Sequence, residues 1–278
     1  MGVRAECPSR QELNIPTSQI AGRATTVRSR VYPTCIARFQ PEVNILRAAL
    51  IDLDGTLLDT AGELAEAVNA MRQDAALPPL PVLRIASFVG KGAAVLVHRA
   101  LTDSHDGQAD DANHARGLAS FRQHYARING TQAKMYSGVL DGLAALRAQG
   151  LRLACVTNKP RDFAQPLLER TGLATHFEVL VAGGDTPRAK PHPDPFELAA
   201  QRMKLSANQC VVIGDSANDA QAGRAAGMAV LLVPYGYSEG EPVSGAFDAG
   251  LCDAIVSDLV AAAGWIADRS AQRNHTPQ

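Results

Sequence analysis

The sequence predicts an α/β fold: a parallel β-sheet flanked by helices, with an all-helical segment inserted after the first strand. Over residues 135–266, short apolar runs of strand length alternate with segments of helical spacing. This alternation is typical of parallel sheets covered by helices on both faces. Between residues 61 and 134 the apolar residues recur at helical spacing only, and this block is too long for an ordinary crossover connection.

The first predicted strand is the run Ala48-Ala49-Leu50-Ile51, which leads directly into Asp52-Leu53-Asp54-Gly55-Thr56. A short apolar run ended by a turn signal is typical of a central strand of a parallel sheet. The carboxyl end of such a strand is where open α/β sheets bind their ligands. Further strands are predicted at 151–157, 179–182, 210–214, 230–233 and 254–256, and helices at 61–77, 82–89, 93–101, 115–128, 139–149, 161–170 and 217–226, with one beginning near 194.

These elements divide the chain into four parts. A catalytic core is predicted over residues 45–60 and 135–266, and a helical cap over 61–134. Residues 1–44 are expected to form a disordered leader, and 267–278 a disordered tail. The leader contains six arginines against three acids and has no apolar core of a secretory signal. Three interpretations of the leader remain open: an organelle transit peptide, a disordered extension, or extra sequence translated from an upstream start.

Composition excludes several classes of function. The net charge of −1 gives no electrostatic basis for binding nucleic acid or anionic membranes. No apolar run approaches the ~20 residues that a membrane-spanning helix needs. The five cysteines are scattered and form no CxxC pair, which favours reduced thiols and argues against zinc. We therefore expect a cytoplasmic protein, a monomer or a homodimer, that binds neither nucleic acid nor a membrane.

Polar side chains follow several of the predicted strands. Asp52 and Asp54 follow the first, Thr157-Asn158-Lys159 ends the second, and the segment from Asp215 to Asp219 follows the fourth, while Lys190 lies beyond the third. Two carboxylates ~4 Å apart repel by about 4 kcal/mol at an effective dielectric of ~20, so a bound cation or a retained proton is expected. Taken singly, each group can be explained by a structural role alone, as a helix cap, a turn or a solvated loop lysine.

Taken together, these stretches resemble the four signature motifs of the haloacid dehalogenase superfamily of phosphatases. The motifs are Asp52-Leu53-Asp54-Gly55-Thr56, Thr157-Asn158, Lys190 and Gly214-Asp215-Ser216-Ala217-Asn218-Asp219. The resemblance implies a Rossmann-like parallel sheet with a C1-type helical cap. The details Gly90-Lys91-Gly92, Thr157-Asn158-Lys159-Pro160 and Tyr235-Gly236-Tyr237, together with the proline-rich segment 190–195, resemble the bacterial phosphoglycolate phosphatases.

The resemblance also implies roles for individual residues. Asp52 would be the nucleophile that forms an aspartyl-phosphate, and Asp54 would protonate the leaving alkoxide and then activate water. The expected cofactor is Mg²⁺, held by the Asp52 carboxylate, the Asp54 backbone carbonyl and Asp215. Asp219 is expected to act indirectly or through water.

Substrate contacts are expected from a second set of residues. Thr157, the backbone N–H of Asn158, and Lys190 would hold the phosphoryl oxygens. Gly55 and Thr56 are also expected to contact the substrate. In the cap, the Lys91 ammonium is a candidate partner for a substrate carboxylate, with a solvated lysine in a flexible turn as the alternative.

The leading prediction is Mg²⁺-dependent hydrolysis of 2-phosphoglycolate to glycolate and phosphate. A phosphatase for another small phosphate, such as a sugar phosphate or a nucleoside monophosphate, is the alternative within the same chemistry. A phosphomutase is less favoured, because Gly55-Thr56-Leu57 resembles the phosphatases more than the mutases. A regulatory protein that binds phosphate without turnover is the alternative from a different class.

Overall fold

The computed structural model describes residues 45–274, so the predicted leader and residues 275–278 lie outside the described part. The described elements are, in chain order, β1 (Ala48–Ile51), β2 (Leu58–Asp59), α1 (Ala61–Asp74), α2 (Val82–Ala86), α3 (Ala93–Thr102), α4 (Asp111–Ile128), β3 (Lys134–Met135), α5 (Val139–Ala148), β4 (Arg152–Pro160), α6 (Arg161–Arg170), β5 (Val179–Gly183), α7 (Asp194–Arg202), β6 (Cys210–Gly214), α8 (Ala217–Ala225), β7 (Ala229–Leu232), α9 (Ser244–Asp248), β8 (Ala254–Ile255) and α10 (Leu259–Asn274). Among these described helices, none has the length and apolar character needed to cross a bilayer.

Six strands form a parallel sheet in the order β5-β4-β1-β6-β7-β8. The predicted α/β fold class is confirmed, and β1 is a central strand as expected. It pairs with β4 on one side and with β6 on the other, so that Ile51 lies opposite Cys155 and Ile213. The residues that follow these three neighbouring strands therefore meet at one edge of the sheet.

The two faces of the sheet are buried in separate hydrophobic layers. Because side chains alternate along a strand, Ala49 and Ile51 of β1 pack into one layer and Ala48 and Leu50 into the other. Helices α5, α6 and α10 cover the first layer, and α7, α8 and α9 cover the second. All four side chains of β1 are completely buried, which accounts for its continuous apolar run.

Residues 61–128, called the helical insert below, form helices α1 to α4 with no strand between them. The insert has its own hydrophobic core, which includes Leu64, Met71, Phe121 and Tyr125. Phe163 of α6 packs against this core from the sheet side. The amphipathic spacing of apolar residues in the insert explains why its helices could be predicted from sequence.

The two chain segments that join the insert to the sheet pair with each other, which the sequence analysis did not predict. Strands β2 and β3 form a two-residue antiparallel ribbon, with Leu58 opposite Met135 and Asp59 opposite Lys134. The buried Glu63 carboxylate accepts hydrogen bonds from the backbone N–H groups of Gly130 at 2.9 Å and Ala133 at 3.0 Å. A strand of two residues leaves no alternating pattern in a sequence, so this ribbon had no signal.

The carboxyl-terminal boundary differs from the prediction. A disordered tail was expected from residue 267, whereas α10 continues to Asn274. Arg269 lies over the Trp265 ring at 4.8 Å and contacts Asp253 at 3.5 Å. These contacts extend the ordered helix beyond the end of its apolar stripe.

Candidate active site

The predicted site residues converge at the carboxyl edge of the sheet. Asp52 follows β1, Thr157 lies in β4, and Asp215 follows β6. Strand β4 continues to Pro160, three residues past its predicted end, and its pairing with β5 shifts between Val156 and Pro160. This irregular end carries Thr157, Asn158 and Lys159 into the site.

The Lys190 ammonium is enclosed by oxygen atoms from three directions. It lies 2.8 Å from Asp52 Oδ1 and 2.7 Å from Asp219 Oδ1, and it donates to the Val156 carbonyl at 2.9 Å. Burial alone would lower the pKa of Lys190, but the carboxylates of Asp219 and Asp52 raise it above its usual value. Lys190 is therefore a permanent buried cation, not a solvated loop lysine.

The carboxylates of Asp52, Asp215 and Asp219, called the acid cluster below, each place an oxygen within 4.8 Å of the others. The pKa of Asp52 is raised to about 8, because burial and the charges of Asp219 and Asp215 together outweigh the lowering effect of Lys190. Burial, followed by repulsion from Asp219, raises the pKa of Asp215 to about 7. Lys190 pairs with Asp52 and Asp219, and Asp215 adds a third acid, so the fully ionised cluster carries excess negative charge.

The donor set of the acid cluster fits a hard divalent cation. Lys190 approaches Asp52 Oδ1 closely without hydrogen-bond geometry, which leaves this buried oxygen with no hydrogen-bond partner in the described part of the chain. Carboxylate oxygens are the ligands that Mg²⁺ prefers, and a dication would offset the excess negative charge. Asp219 is already engaged, because its Oδ2 accepts the Ser216 hydroxyl at 2.7 Å while Oδ1 faces Lys190.

Gly55 and Thr56 contact the acid cluster and do not line the cavity beside it. The Thr56 hydroxyl donates to Asp215 Oδ1 at 2.9 Å, and the Tyr237 backbone N–H donates to Oδ2 at 2.8 Å. Gly55 has φ +87°, and a Cβ there would lie 2.3 Å from Asp215 Oδ2. Both residues thus fix the position of Asp215, which differs from the substrate contact expected of them.

The Asp54 carboxylate has two partners that sequence reasoning missed. The Thr60 hydroxyl donates to its Oδ1 at 2.6 Å, and the Lys159 ammonium lies 2.9 Å from the same atom. Burial alone would lower the pKa of Lys159, but Asp54 raises it above its usual value. The available signal was a lysine at the end of a buried strand, since lysine is rarely buried without a partner.

The Asn158 side chain contacts the backbone of Lys190. Its Oδ1 accepts the Lys190 backbone N–H at 2.9 Å, and its Nδ2 donates to the carbonyls of Lys190 and Gly90, both at 2.9 Å. Asn158 therefore joins the loop of Lys190 to the helical insert. The Thr157 side chain accepts the Lys159 backbone N–H at 3.1 Å and lines the cavity.

Lys91 is not brought into the site. Its ammonium lies 3.9 Å from Glu239 Oε2, its side chain is 41% exposed, and it does not line the cavity. Glu239 also accepts hydrogen bonds from Arg99 of the insert and Asn218 of α8, each at 2.8 Å. This junction, which the sequence analysis did not foresee, fastens the insert to the sheet side.

A cavity lies between the sheet edge and the helical insert. Its sheet side is polar and includes Asp52, Asp54, Thr157, Lys159 and Asp215. Its insert side is apolar apart from one tyrosine, and is formed by Leu64, Val89, Gly90, Gly92, Ala93, Leu96, Phe121 and Tyr125. The arrangement can hold a small molecule with its charged end at the acid cluster and its other end under the insert.

Comparison with known proteins identifies the family. Residues 46–227 match the family model of the haloacid dehalogenase-like hydrolases. A phosphoglycolate phosphatase from Nitrosospira multiformis is 44% identical over 214 residues, which cover 77% of this chain and 92% of the relative. A plasmid-encoded phosphoglycolate phosphatase from Cupriavidus necator is 49% identical over 191 residues, covering 69% and 82% of the two chains.

Solved structures agree with this assignment. A crystal structure described as a predicted phosphoglycolate phosphatase from Haemophilus somnus superimposes with a TM-score of 0.71 at 31% identity, covering 77% of this chain and 95% of that one. Fold, site and relatives together define an enzyme of the phosphatase class. The chain belongs to the haloacid dehalogenase-like hydrolase family, which confirms the resemblance seen in its motifs.

Proposed function

We propose that this chain hydrolyses 2-phosphoglycolate to glycolate and phosphate, with Mg²⁺ as cofactor and an aspartyl-phosphate on Asp52 as intermediate. The observation that carries the proposal is the position of Asp52, whose carboxylate faces both the Lys190 ammonium and the cavity. The substrate assignment is supported by the two relatives named phosphoglycolate phosphatase that are described above, which are 44% and 49% identical to this chain.

In the first step an Asp52 carboxylate oxygen forms a bond to phosphorus, and the bond from phosphorus to the glycolate oxygen breaks. The departing oxygen takes a proton from the Asp54 carboxyl, which lines the same cavity. In the second step the Asp54 carboxylate removes a proton from water, and the water oxygen attacks phosphorus. Phosphate leaves and the Asp52 carboxylate is restored.

The surrounding residues position these groups. Thr60 and Lys159 hold the Asp54 carboxylate from two sides, which fixes the direction of proton transfer. We expect Thr157, which lines the cavity, and Lys190, which lies 2.8 Å from Asp52 Oδ1, to bind phosphoryl oxygens as negative charge shifts during transfer. Preorganised donors of this kind need no reorganisation at the moment of reaction.

We infer that Mg²⁺ would be held by the carboxylates of Asp52 and Asp215 and by the backbone carbonyl of Asp54. When bound, it would supply positive charge that draws the phosphoryl group towards the nucleophile. Asp219 is better suited to holding Lys190 and Ser216, because both of its oxygens are engaged by them. Thr56 keeps Asp215 oriented for its part in the site.

The test is phosphate release from 2-phosphoglycolate and a panel of small phosphomonoesters, including a sugar phosphate and a nucleoside monophosphate, with Mg²⁺ and with EDTA. We expect 2-phosphoglycolate to have the highest kcat/KM and activity to require the metal. Asp52→Asn should lower kcat by more than about a thousandfold. Asp141→Asn, which changes an exposed carboxylate on α5, is the matched control.

The outcomes separate the parts of the proposal. If another ester leads the panel under the same requirements, the substrate assignment is wrong and the chemistry stands. If Asp52→Asn retains turnover, the aspartyl-phosphate route is wrong. Binding of esters without phosphate release would support the non-catalytic alternative.

A further inference from the structure

The cavity contains a pair of polar groups that the proposed chemistry does not use in full. The Lys159 ammonium comes from the end of β4, and the Tyr125 hydroxyl comes from helix α4 of the insert. The ammonium lies 4.8 Å from the centre of the Tyr125 ring. The two polar groups therefore approach each other from opposite sides of the cavity.

The Tyr125 side chain is 1% exposed, and its hydroxyl has no hydrogen-bond partner among the described residues. The ring itself is well packed, with Phe121 at 5.4 Å and Phe163 at 5.0 Å between ring centres. Leaving a buried hydroxyl unpaired is unfavourable, and phenylalanine would fill the same space at no such cost. A tyrosine at this position indicates a ligand that accepts its hydrogen bond.

Lys159 has binding capacity to spare. An ammonium offers three N–H donors, and this one donates to the two Asp54 oxygens at 2.9 and 3.3 Å, while the Tyr125 side chain lies close enough to interact with it. The Asp54 charge raises the pKa of Lys159 against the opposing effect of burial, so this lysine stays protonated. It can therefore contact Asp54 and an anionic ligand group at the same time.

The rest of the insert side limits what the ligand can be. Apart from the Tyr125 hydroxyl, the described side chains that the insert contributes to the cavity carry no polar atom. A sugar or a nucleoside would bring several hydroxyl groups that require partners there. A short fragment with a single polar end satisfies the site with one hydroxyl and one ammonium.

We propose that Lys159 and Tyr125 form the specificity subsite for the carboxylate of the substrate's leaving group. This inference rests on the proposed function and deepens it, since it assigns the recognition of the carboxylate to two residues that no sequence motif assigned. It also displaces Lys91 from that role. Because one donor comes from the sheet and the other from the insert, the subsite is complete only when the insert covers the sheet edge.

The test compares kcat/KM for 2-phosphoglycolate and for ethyl phosphate, in which a methyl group replaces the carboxylate. Tyr125→Phe removes one oxygen and leaves Asp54 untouched. Since a hydrogen bond to a charged group contributes roughly 1.5–3 kcal/mol, the preference for 2-phosphoglycolate should fall about tenfold to a hundredfold. The kcat/KM for ethyl phosphate should fall by a clearly smaller factor than the kcat/KM for 2-phosphoglycolate.

Lys159→Met removes the charge and should abolish the preference, although it also disturbs Asp54 and will slow both esters. Tyr136→Phe and Lys134→Met are matched controls on residues outside the cavity, and both should keep the wild-type preference. Product inhibition gives a readout besides turnover. The inhibition constant for glycolate should rise about tenfold or more in Tyr125→Phe, and that for inorganic phosphate should stay unchanged.

Each result decides something different. If wild type prefers 2-phosphoglycolate and Tyr125→Phe keeps the preference, the subsite is wrong and the proposed function stands. If the wild-type enzyme shows no preference for 2-phosphoglycolate, the proposed substrate is wrong, and the subsite proposal that rests on it is wrong as well. If 2-hydroxyethyl phosphate loses as much as 2-phosphoglycolate in Tyr125→Phe, the subsite recognises a hydroxyl and its assignment to a carboxylate is overturned.

Discussion

The edge of the sheet and the junction between sheet and insert both contain ion pairs, but the two regions differ in how much water they exclude. At the sheet edge the side chains of Lys190 and Asp219 are 2% and 0% exposed. At the junction the side chain of Glu239 is 16% exposed, and its partners Arg99 and Lys91 are 7% and 41% exposed. Electrostatic attraction is weaker and more readily screened in the second environment than in the first.

The difference separates two tasks. The groups proposed to make and break bonds are fixed by neighbouring strands and largely excluded from water, so that their charges interact strongly. Contacts from Glu239 and Asn158 to the insert are few and partly wet, so they can break and form again as substrate enters and product leaves. We expect variants at the sheet edge to affect chemistry and folding together, and variants at the junction to affect closure.

The largest effect is expected from Lys190→Met. It leaves Asp52 and Asp219 buried without their shared cation, so activity should fall more than about a thousandfold and the free energy of unfolding by about 3–5 kcal/mol. Urea unfolding measures the stability and phosphate release measures the activity.

A double variant checks the cause of this loss. Adding Asp219→Asn to Lys190→Met removes one of the stranded charges and should recover part of the stability without recovering activity. A double variant no more stable than Lys190→Met alone would show that the lost stability does not come from unpaired charge.

The pH dependence of metal-free stability should give the next largest effect. The pKa values of Asp52 and Asp215 are raised from 3.8 to about 8 and about 7 in the folded protein. The folded state therefore binds more protons than the unfolded state between these limits, and stability in EDTA should fall as pH rises through them. The slope is at most about 1.4 kcal/mol per pH unit for each group.

Mg²⁺ should reverse this trend, because the ion competes with protons for the same oxygens. Its stabilising effect in urea unfolding should increase from pH 5.5 to pH 8.5. The pKa values of Asp185 and Glu178 are lowered from their usual acidic range, so these two carboxyls do not contribute in this window. A metal effect equal at both pH values would contradict an acid cluster that exchanges protons for the ion.

Glu239→Gln tests the junction and should have a smaller effect. It removes the charge that faces Arg99 and Lys91, so the insert should open more often and KM should rise about threefold to tenfold. Hydrogen exchange in the peptide spanning residues 86–96 should become faster.

Glu241→Gln changes an exposed carboxylate two residues away and serves as the control. A drop in kcat with unchanged hydrogen exchange in Glu239→Gln would place Glu239 in the chemistry and remove the distinction between the two regions.

Lys91→Ala should have the smallest effect. If Lys91 bound the substrate carboxylate, its removal would raise KM for 2-phosphoglycolate more than for p-nitrophenyl phosphate. The exposed 3.9 Å contact with Glu239 instead predicts a small change, less than about twofold, that is the same for both esters. Steady-state kinetics with the two esters distinguish the two roles.

Local sequence carried most of the information about the sheet edge. The run from Ala48 to Ile51 is buried on both faces, and the acids after it occupy the edge because strand direction places them there. Lys190 could be identified as a site residue only from the motifs taken together, since nothing in its neighbouring sequence distinguishes it from a surface lysine. The pairing of Asp215 with Thr56, 159 residues away in the chain, could not be predicted from spacing.

The junction was much less predictable. Tyr125 lies within the helix predicted over 115–128, where nothing distinguished it, and Lys159 was named only as part of a motif. Their meeting depends on how the insert packs on the sheet, which is a tertiary contact without a local pattern. Lys91 drew attention because glycines flank it, yet Glu239 lies nearby in space and engages it.

The β2–β3 ribbon makes residues 60–133 an exchangeable cassette. Paired strands run about 4.8 Å apart, so the segment leaves and re-enters the sheet domain at nearly one point. Glu63 and its partners Gly130 and Ala133 lie inside the segment, so a transplanted segment would retain the hydrogen bonds that hold its two ends together. Recombination at strands β2 and β3 would let the same sheet domain acquire a different insert, and with it new substrates, without a change in the sheet.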